Sequence, residues 1–422
     1  MQRLMILSLP FEESLHAWVR GCSPPGTPSI FFLAERLAAR GTEVLWLMFD
    51  WSGPLPPGGS VQKRGAITIR IIAKPTRAVA KYLDGSERGF VKRFFKPVDL
   101  LFHRDTAWNI AKRFRPQGIY SVGVYSLLGT PLARRLRVPA ITRMLGVFLG
   151  GHLDSWWKPA NTWNEIATLL LKPDFLIITN DGTRGDRVAD RFGISREKFW
   201  FPINGSDSQI LPLPGDRERA RQRIGVTPAD PVIVSIGRLV AWKRMESLIT
   251  AFANATAGGR RTARLLIAGD GPERTALTDM ATRLGVDHSV EFLGTVPRGA
   301  MREYLAAADI AAFAYDHSNV GSALLEAMCA GKPILSVANG DTPRFVKHGV
   351  SGLLASEHDR DHELCDYMSR LIQDADLRSR LGDGAAAWAA ENLLPWPERM
   401  DQECSLLEDL VRQHQSRVAR SA

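Results

Sequence analysis

The sequence predicts an α/β protein made of two doubly wound domains. Three observations carry that reading. Short apolar runs of strand length alternate with segments of helical periodicity. The alternation lapses once, in a Pro- and Gly-rich stretch near the middle. The 422 residues are enough for two domains that each bury a core.

The first domain opens with the apolar run Leu4–Leu9, which stops at Pro10. It is too short for the core of a signal segment and reads as a buried strand. A loop follows, Gly21-Cys-Ser-Pro-Pro-Gly-Thr-Pro28. Ser29 can then cap a helix in which Ile30, Phe31, Leu33, Ala34 and Leu37 fall at helical spacing. Further strands are expected at Val44–Met48, Ile67–Ile72, Ile119–Val124, Ala140–Arg143 and Phe175–Thr179. Strands separated by helical segments imply a parallel sheet with crossover helices. Ile203-Asn-Gly-Ser-Asp207 and Leu211-Pro-Leu-Pro-Gly215 lose all periodicity and mark a linker.

Beyond it the alternation restarts. Strands are expected at Val232–Ile236, Leu265–Ala268, Val290–Leu293, Ile310–Ala314, Pro333–Ser336 and Gly352–Leu354. Helices fall between them at Met245–Ala255, Glu273–Leu284, Ala300–Ala307 and Gly321–Ala330. The expected division is residues 1–207 with a terminal helix 396–422 in the first domain, and 208–395 in the second. Two parallel sheets facing an interdomain cleft would bind ligands at their carboxyl ends.

Composition narrows the classes. Cys22, Cys329, Cys365 and Cys404 show no C-x-x-C spacing, which indicates neither a disulfide framework nor a zinc site. Such usage fits a reducing, cytoplasmic compartment. No run reaches the ~18 apolar residues of a spanning helix, so a soluble or peripheral protein is expected. The net charge of +9 is concentrated: Lys63–Arg115 holds fourteen Lys and Arg against four Asp and Glu. With Phe90, Phe94 and Phe95 interleaved, and Trp156-Trp-Lys158 further on, this region can dock on anionic lipid at the inner face of a membrane. It reads equally well as a solvated helical face with its aromatics turned inward. No nucleic-acid motif accompanies the charge, so nucleic acid is not an expected partner. No carboxylate cluster has metal-ligand spacing, so no metal or other cofactor is expected.

The chemistry gathers in the second domain. Ser235-Ile-Gly-Arg-Leu-Val-Ala-Trp-Lys-Arg244 follows a strand. Gly237 permits a tight turn, and Arg238 and Lys243 project from the loop, where two cations suit a diphosphate. Standing alone they could equally be surface cations. Ser318-Asn-Val-Gly-Ser-Ala-Leu-Leu-Glu-Ala-Met328 opens a helix that Asn319 or Ser318 can cap. Gly321 leaves its first turn open, and the free amides through Ser322 and Ala323 can bind an anion. Glu326 lies one turn beyond Ser322 on the same face, either aimed at ribose hydroxyls or an ordinary exposed residue. Leu293 and Gly294 end a strand at the same edge, where a base could lie against backbone.

In order along the chain, these pieces resemble glycosyltransferase family 4 of the GT-B class. The resemblance rests on Asn204-Gly-Ser-Asp207, Gly237-Arg-Leu-x-x-x-Lys243, Gly269-Asp-Gly-Pro272, Phe292-Leu-Gly294, Leu324-Leu-Glu-Ala-Met-x-x-Gly-Lys-Pro333 and Gly349-x-x-Gly-Leu-Leu354. It implies two Rossmann-like domains, a final helix that crosses back to the first domain from Trp396, and a retaining transfer from a UDP- or GDP-sugar. Arg238 and Lys243 would hold the diphosphate and Glu326 the ribose. The acceptor, a saccharide or a lipid-linked saccharide, would lie against the first domain near Gly26 and Thr27.

Three departures stand out. The family pattern has two Glu separated by seven residues, but Ser318 occupies the first position. Arg244 stands where a Gly is common. The strand Ala140–Gly146 carries no His at its end, and His152 is the possible substitute as a catalytic group. The same two-domain fold also serves UDP-sugar 2-epimerases and could serve a non-catalytic binding or regulatory subunit.

Overall fold

The computed structural model describes residues 1–22, 29–51, 54–73, 100, 102–152, 162–207, 210–257 and 263–421. Gly26 and Thr27, residues 74–99 and 101 of the basic stretch with Phe90, Phe94 and Phe95, Trp156–Lys158 and the side chain of His152 lie outside the described residues. The chain forms two compact units: Met1–Asn180, Arg184–Ile203 and Trp396–Ala422 make one, and Asp181–Thr183 with Asn204–Pro395 make the other. The boundary thus falls at Ile203–Asn204, and the Asn204–Asp207 turn belongs to the second unit.

In the first unit the sheet comprises β1 (Arg3–Ser8), β2 (Glu43–Trp51), β3 (Val61–Arg64), β4 (Ile67–Ala73), β5 (Gly118–Val122), β6 (Ala140–Met144), β7 (Phe175–Ile178) and β8 (Phe199–Trp200). Their order is β3-β4-β2-β1-β5-β6-β7-β8. All neighbours are parallel except β3 and β4. The central strands β5 and β6 are buried at every position, which is why they read as unbroken strand segments. Edge strand β3 buries only Gln62, so it leaves no apolar signature. The helix Glu12–Val19, between Pro10 and Gly21, is not among the elements expected from the sequence; it buries Leu15, Ala17 and Trp18.

The last helix, Trp396–Ser421, belongs to this unit. Arg36 forms an ion pair with Asp401, and Arg40 pairs with Glu408 at 3.3 Å. The rings of Phe32 and Trp396 lie 5.5 Å apart. Beneath them Glu403 accepts from Tyr120 at 2.6 Å and from Arg143 and Arg399 at 2.9 Å each.

The second unit holds β9 (Val232–Ile236), β10 (Arg264–Ala268), β11 (Val290–Gly294), β12 (Ile310–Ala312), β13 (Ile334–Val337) and β14 (Gly352–Ala355). The order is β11-β10-β9-β12-β13-β14, parallel throughout. Counted from β9 this is 3-2-1-4-5-6, the dinucleotide-fold order. The core strands are fully buried from Val232 to Ser235 and from Leu265 to Ala268. Among the described residues no helix is long and apolar enough to cross a membrane, and the four cysteines are unpaired.

Candidate functional site

Strand order in the second sheet reverses between β9 and β12. Outside the carboxyl ends at such a switch point, open sheets hold their ligands. The two loops that leave there carry most of the residues singled out from the sequence.

The loop after β9 is built on close backbone approach. Gly237 donates its amide to Ala268 O at 2.9 Å. A Cβ on it would stand 2.8 Å from the phenol oxygen of Tyr315, which itself donates to Ile236 O at 2.7 Å. Gly269 is tighter: its φ is +146°, and a Cβ would lie 1.9 Å from Gly237 O. Only glycine fits there. Leu239 N then reaches Asp270 O at 3.0 Å, and Glu273 N reaches Leu239 O at 3.1 Å, so the loops after β9 and β10 brace each other.

From that platform Arg238 is exposed. Lys243 turns back across aromatic rings, its ammonium 3.3 Å from the centroid of Tyr315 and 4.3 Å from that of Trp242. Burial pushes its proton affinity down to about 7; Asp181 pulls it up and the nearby charge of Arg238 pushes it lower. Arg238 and Lys243 are therefore close enough to feel each other. The next residue, Arg244, has φ +50°. That left-handed conformation costs a side-chain-bearing residue ~1–2 kcal/mol, which explains why glycine is common there. Here the arginine is held by Asp316 at 2.9 Å and Glu246 at 3.1 Å. Asp316 also receives Arg360 at 2.6 Å, and together the two arginines hold its carboxyl below the ordinary range against the effect of burial.

The loop after β12 differs from expectation. Neither Ser318 nor Asn319 caps the helix Ser322–Cys329; Gly321 occupies the cap with no side-chain bond. Ser318 instead donates to Asp181 O at 2.6 Å and accepts from Val320 N at 3.2 Å. Asn319 is 0% exposed. It accepts from Tyr315 N at 2.8 Å and donates to Asn339 at 2.9 Å, so it shapes the loop from within. The consequence is a bare helix start. Among the described residues no acceptor meets the amides of Ser322 and Ala323, and these with the helix dipole favour an anion.

Glu326 is 6% exposed rather than an ordinary surface residue. Its Oε1 accepts from Nη2 of Arg298 at 2.8 Å, and Nε of the same guanidinium donates to Asp207 at 2.7 Å. Burial raises the Glu326 carboxyl; Arg298 opposes that, and the charge of Asp207 adds to it. Arg298 and the part played by Asp207 escaped the sequence reading, although Asp207 stood inside a quoted motif. At the end of β11, Gly294 has φ +67° and its carbonyl receives Gly269 N at 2.8 Å. Leu293 is partly buried. Arg274 reaches Phe292 O at 3.3 Å. In the first unit, His152 closes the short turn Phe148–His152. Among the described residues no three His, Cys, Asp or Glu side chains stand together as metal ligands.

A dinucleotide-type sheet with Arg238, Lys243 and a bare helix start on the loops at its switch point has the form of a nucleotide-binding α/β unit, and two α/β units built on mostly parallel sheets in one chain are the architecture of the GT-B class. Residues 216–388 match the family described as glycosyl transferases group 1. A D-inositol 3-phosphate glycosyltransferase of Acidothermus cellulolyticus is 30% identical over 388 residues, 88% of this chain and 83% of the relative. The chain belongs to the glycosyl transferases group 1 family. A protein of the same name from Nocardia farcinica is 29% identical over 223 residues, 51% of this chain and 48% of that protein. The match spans about half the length of the first curated relatives, 48%, 50% and 54%. A GDP-mannose-dependent alpha-(1-6)-phosphatidylinositol monomannoside mannosyltransferase of Mycobacterium tuberculosis is 27% identical over 290 residues, 67% of this chain and 72% of that one. Among solved structures, a sucrose-phosphate synthase from Thermosynechococcus elongatus superposes with a TM-score of 0.74 at 18% identity, covering 98% of this chain and all of that one.

Proposed function

We propose that the chain is a retaining glycosyltransferase that moves a sugar from a UDP- or GDP-sugar to a saccharide or lipid-linked acceptor. The observation that carries this reading is that the two loops leaving the switch point of the second sheet carry, after β9, Arg238 and Lys243 and, after β12, the uncapped start of the Ser322–Cys329 helix. The barrier to transfer lies in departure of the leaving group, as negative charge grows on the diphosphate. Two cations and oriented amides stabilise that charge in place, and such electrostatic preorganisation is a large part of catalysis. Glu326 holds the ribose, and Leu293 and Gly294 border the base. On the acceptor side the reading assigns roles to Gly26, Thr27 and His152.

The names of the relatives support this reading and widen the acceptors to screen. A phosphorylated polyol and a phosphoinositide glycolipid stand beside saccharides. Lys63–Arg115 would hold the enzyme peripherally on an anionic cytoplasmic surface. Binding to anionic vesicles that weakens with salt supports this, and no binding at low salt removes it.

A thermal-shift screen of UDP- and GDP-sugars, followed by product analysis, tests the function. A donor at a hundredfold excess over its dissociation constant stabilises the fold by ~2.7 kcal/mol. Arg238→Ala and Lys243→Ala should each lower turnover by ~10²-fold or more, by analogy with lost oxyanion donors. Near-wild-type rates in both variants reject the assignment. Interconversion of sugars without transfer would instead identify an isomerase, and donor binding without product a regulatory subunit.

A further inference from the structure

Glu326 and Asp207 are two carboxylates buried around one guanidinium. Side-chain exposure is 7% for Glu326 and 13% for both Arg298 and Asp207. The three residues come from three separate places. Asp207 ends the Asn204–Asp207 turn, Arg298 opens the turn Arg298–Ala300 after β11, and Glu326 lies on the Ser322–Cys329 helix. A side chain that served only to pin the helix would need one partner. Arg298 divides its fork instead, Nε to Asp207 and Nη2 to a single oxygen of Glu326.

We propose that Arg298 is the positioning residue of the ribose subsite: braced by Asp207, it takes Oε1 of Glu326 and so presents Oε2 to the ribose hydroxyls of the donor. This rests on the donor reading above and adds to it a residue that neither touches the nucleotide nor belongs to the motifs quoted from the sequence. The planar fork of an arginine fixes both the position and the plane of the carboxylate. A carboxylate fixed in plane can accept from two vicinal hydroxyls at once, whereas a freely rotating one meets them in turn. Charge follows from the same contact. Burial raises the Glu326 carboxyl, and Arg298 is the group that opposes it. The other titratable neighbours are Asp207, which raises it further, and Cys329, whose thiol is pushed up to about 11 by burial and by Glu326 itself.

The test measures dissociation constants of UDP and GDP against their 2′-deoxy and 3′-deoxy forms, from pH 5.5 to 8.5, in the full chain. Wild type should prefer the ribonucleotides by about tenfold to a hundredfold, the range for hydrogen bonds to a charged group. Glu326→Gln should erase most of that ratio. Arg298→Met should erase it as well, and should make what remains depend on pH, improving as the solution becomes more alkaline and Glu326 loses its proton. Arg298→Lys keeps the charge without the fork and should fall between Arg298→Met and wild type. Asp207→Asn should lower the ratio less than Arg298→Met does. A purely structural role would weaken all nucleotides equally and leave the ratio intact. That result in Arg298→Lys, or in a folded Arg298→Met, overturns the inference. The donor reading fails separately, if wild type and Glu326→Gln both bind ribo- and deoxynucleotides alike.

Discussion

The ammonium of Lys243 stands 3.3 Å from the centre of the Tyr315 ring, and burial holds its proton affinity at about 7 instead of the usual 10.5. Near neutral pH the unliganded residue therefore exchanges its proton, where an ordinary lysine stays charged. A nucleotide sugar carries a diphosphate diester that does not titrate in this range, and it prefers the charged form of the lysine. Donor affinity should then fall as pH rises above 7, approaching tenfold per unit by linkage, with a proton taken up on binding. Calorimetry in buffers of different ionisation enthalpy measures that uptake. Lys243→Arg should abolish the slope, because its guanidinium stays protonated. The ligand-free protein behaves oppositely: its unfolded chain binds more protons between pH 7 and 10.5, so this residue makes stability rise with pH across that window. A donor affinity that is flat from pH 6.5 to 8.5 rejects the account.

The second unit was legible because its strands other than the edge strand β11 bury nearly every position and so appear as runs of apolar residues. Val232–Ile236 has the bounds expected of it. The helix Met245–Thr256 exceeds its expected end by one residue. Arg298 was not legible, since its partners lie 91 and 28 residues away and no local pattern encodes a charge pair at that distance. Ser318 and Asn319 were read as caps because they precede a helix. Tertiary contacts with Asp181 and Asn339 claim them instead. Arg244 could be seen as an oddity in the sequence, but its meaning needed the backbone angle.

That angle yields a prediction. Arg244→Gly removes the ~1–2 kcal/mol cost of a left-handed side-chain-bearing residue and loses partly exposed ion pairs worth ~0.2–1 kcal/mol each. The two should nearly cancel, leaving stability within about 0.5 kcal/mol of wild type. Arg244→Val keeps the strain, adds β-branching and loses the pairs, so it should cost ~1–2 kcal/mol. Urea midpoints compare them, and a valine variant as stable as the glycine variant contradicts the reasoning.

Gly269 and Gly285 separate conformational strain from collision. Both have positive φ, but a Cβ at Gly285 meets nothing within 4 Å, whereas one at Gly269 meets Gly237 O at 1.9 Å. Gly285→Ala should cost ~1 kcal/mol from strain alone. Gly269→Ala must also push apart two braced loops and should cost ~2–4 kcal/mol. It should weaken donor binding too, because Arg238 rides on the displaced loop. Equal losses of stability in the two variants would mean that the close approach carries no weight.

Glu403 gives the sharpest test of how the last helix is held. It is 1% exposed, as is Arg143, and Arg399 is 3% exposed. Burial alone would raise its carboxyl, but Arg143 and Arg399 outweigh burial and hold it below the ordinary range. The phenol of Tyr120 is pushed up by burial and by the Glu403 charge, so it stays a hydrogen-bond donor at neutral pH. Glu403→Gln leaves two buried guanidinium groups without their shared anion, and removing one partner of a buried pair costs ~3–5 kcal/mol. Because the folded value lies below the unfolded one, the stabilisation is fully present above the unfolded carboxyl value near 4.3. It is lost as pH falls through the lower folded value. The glutamine variant should therefore unfold at lower urea at pH 7, and its stability should fall less steeply than that of wild type on acidification below pH 4. A loss under 1 kcal/mol at pH 7 would show that aliphatic packing of the Trp396–Ser421 helix, rather than this buried cluster, fixes it to the sheet.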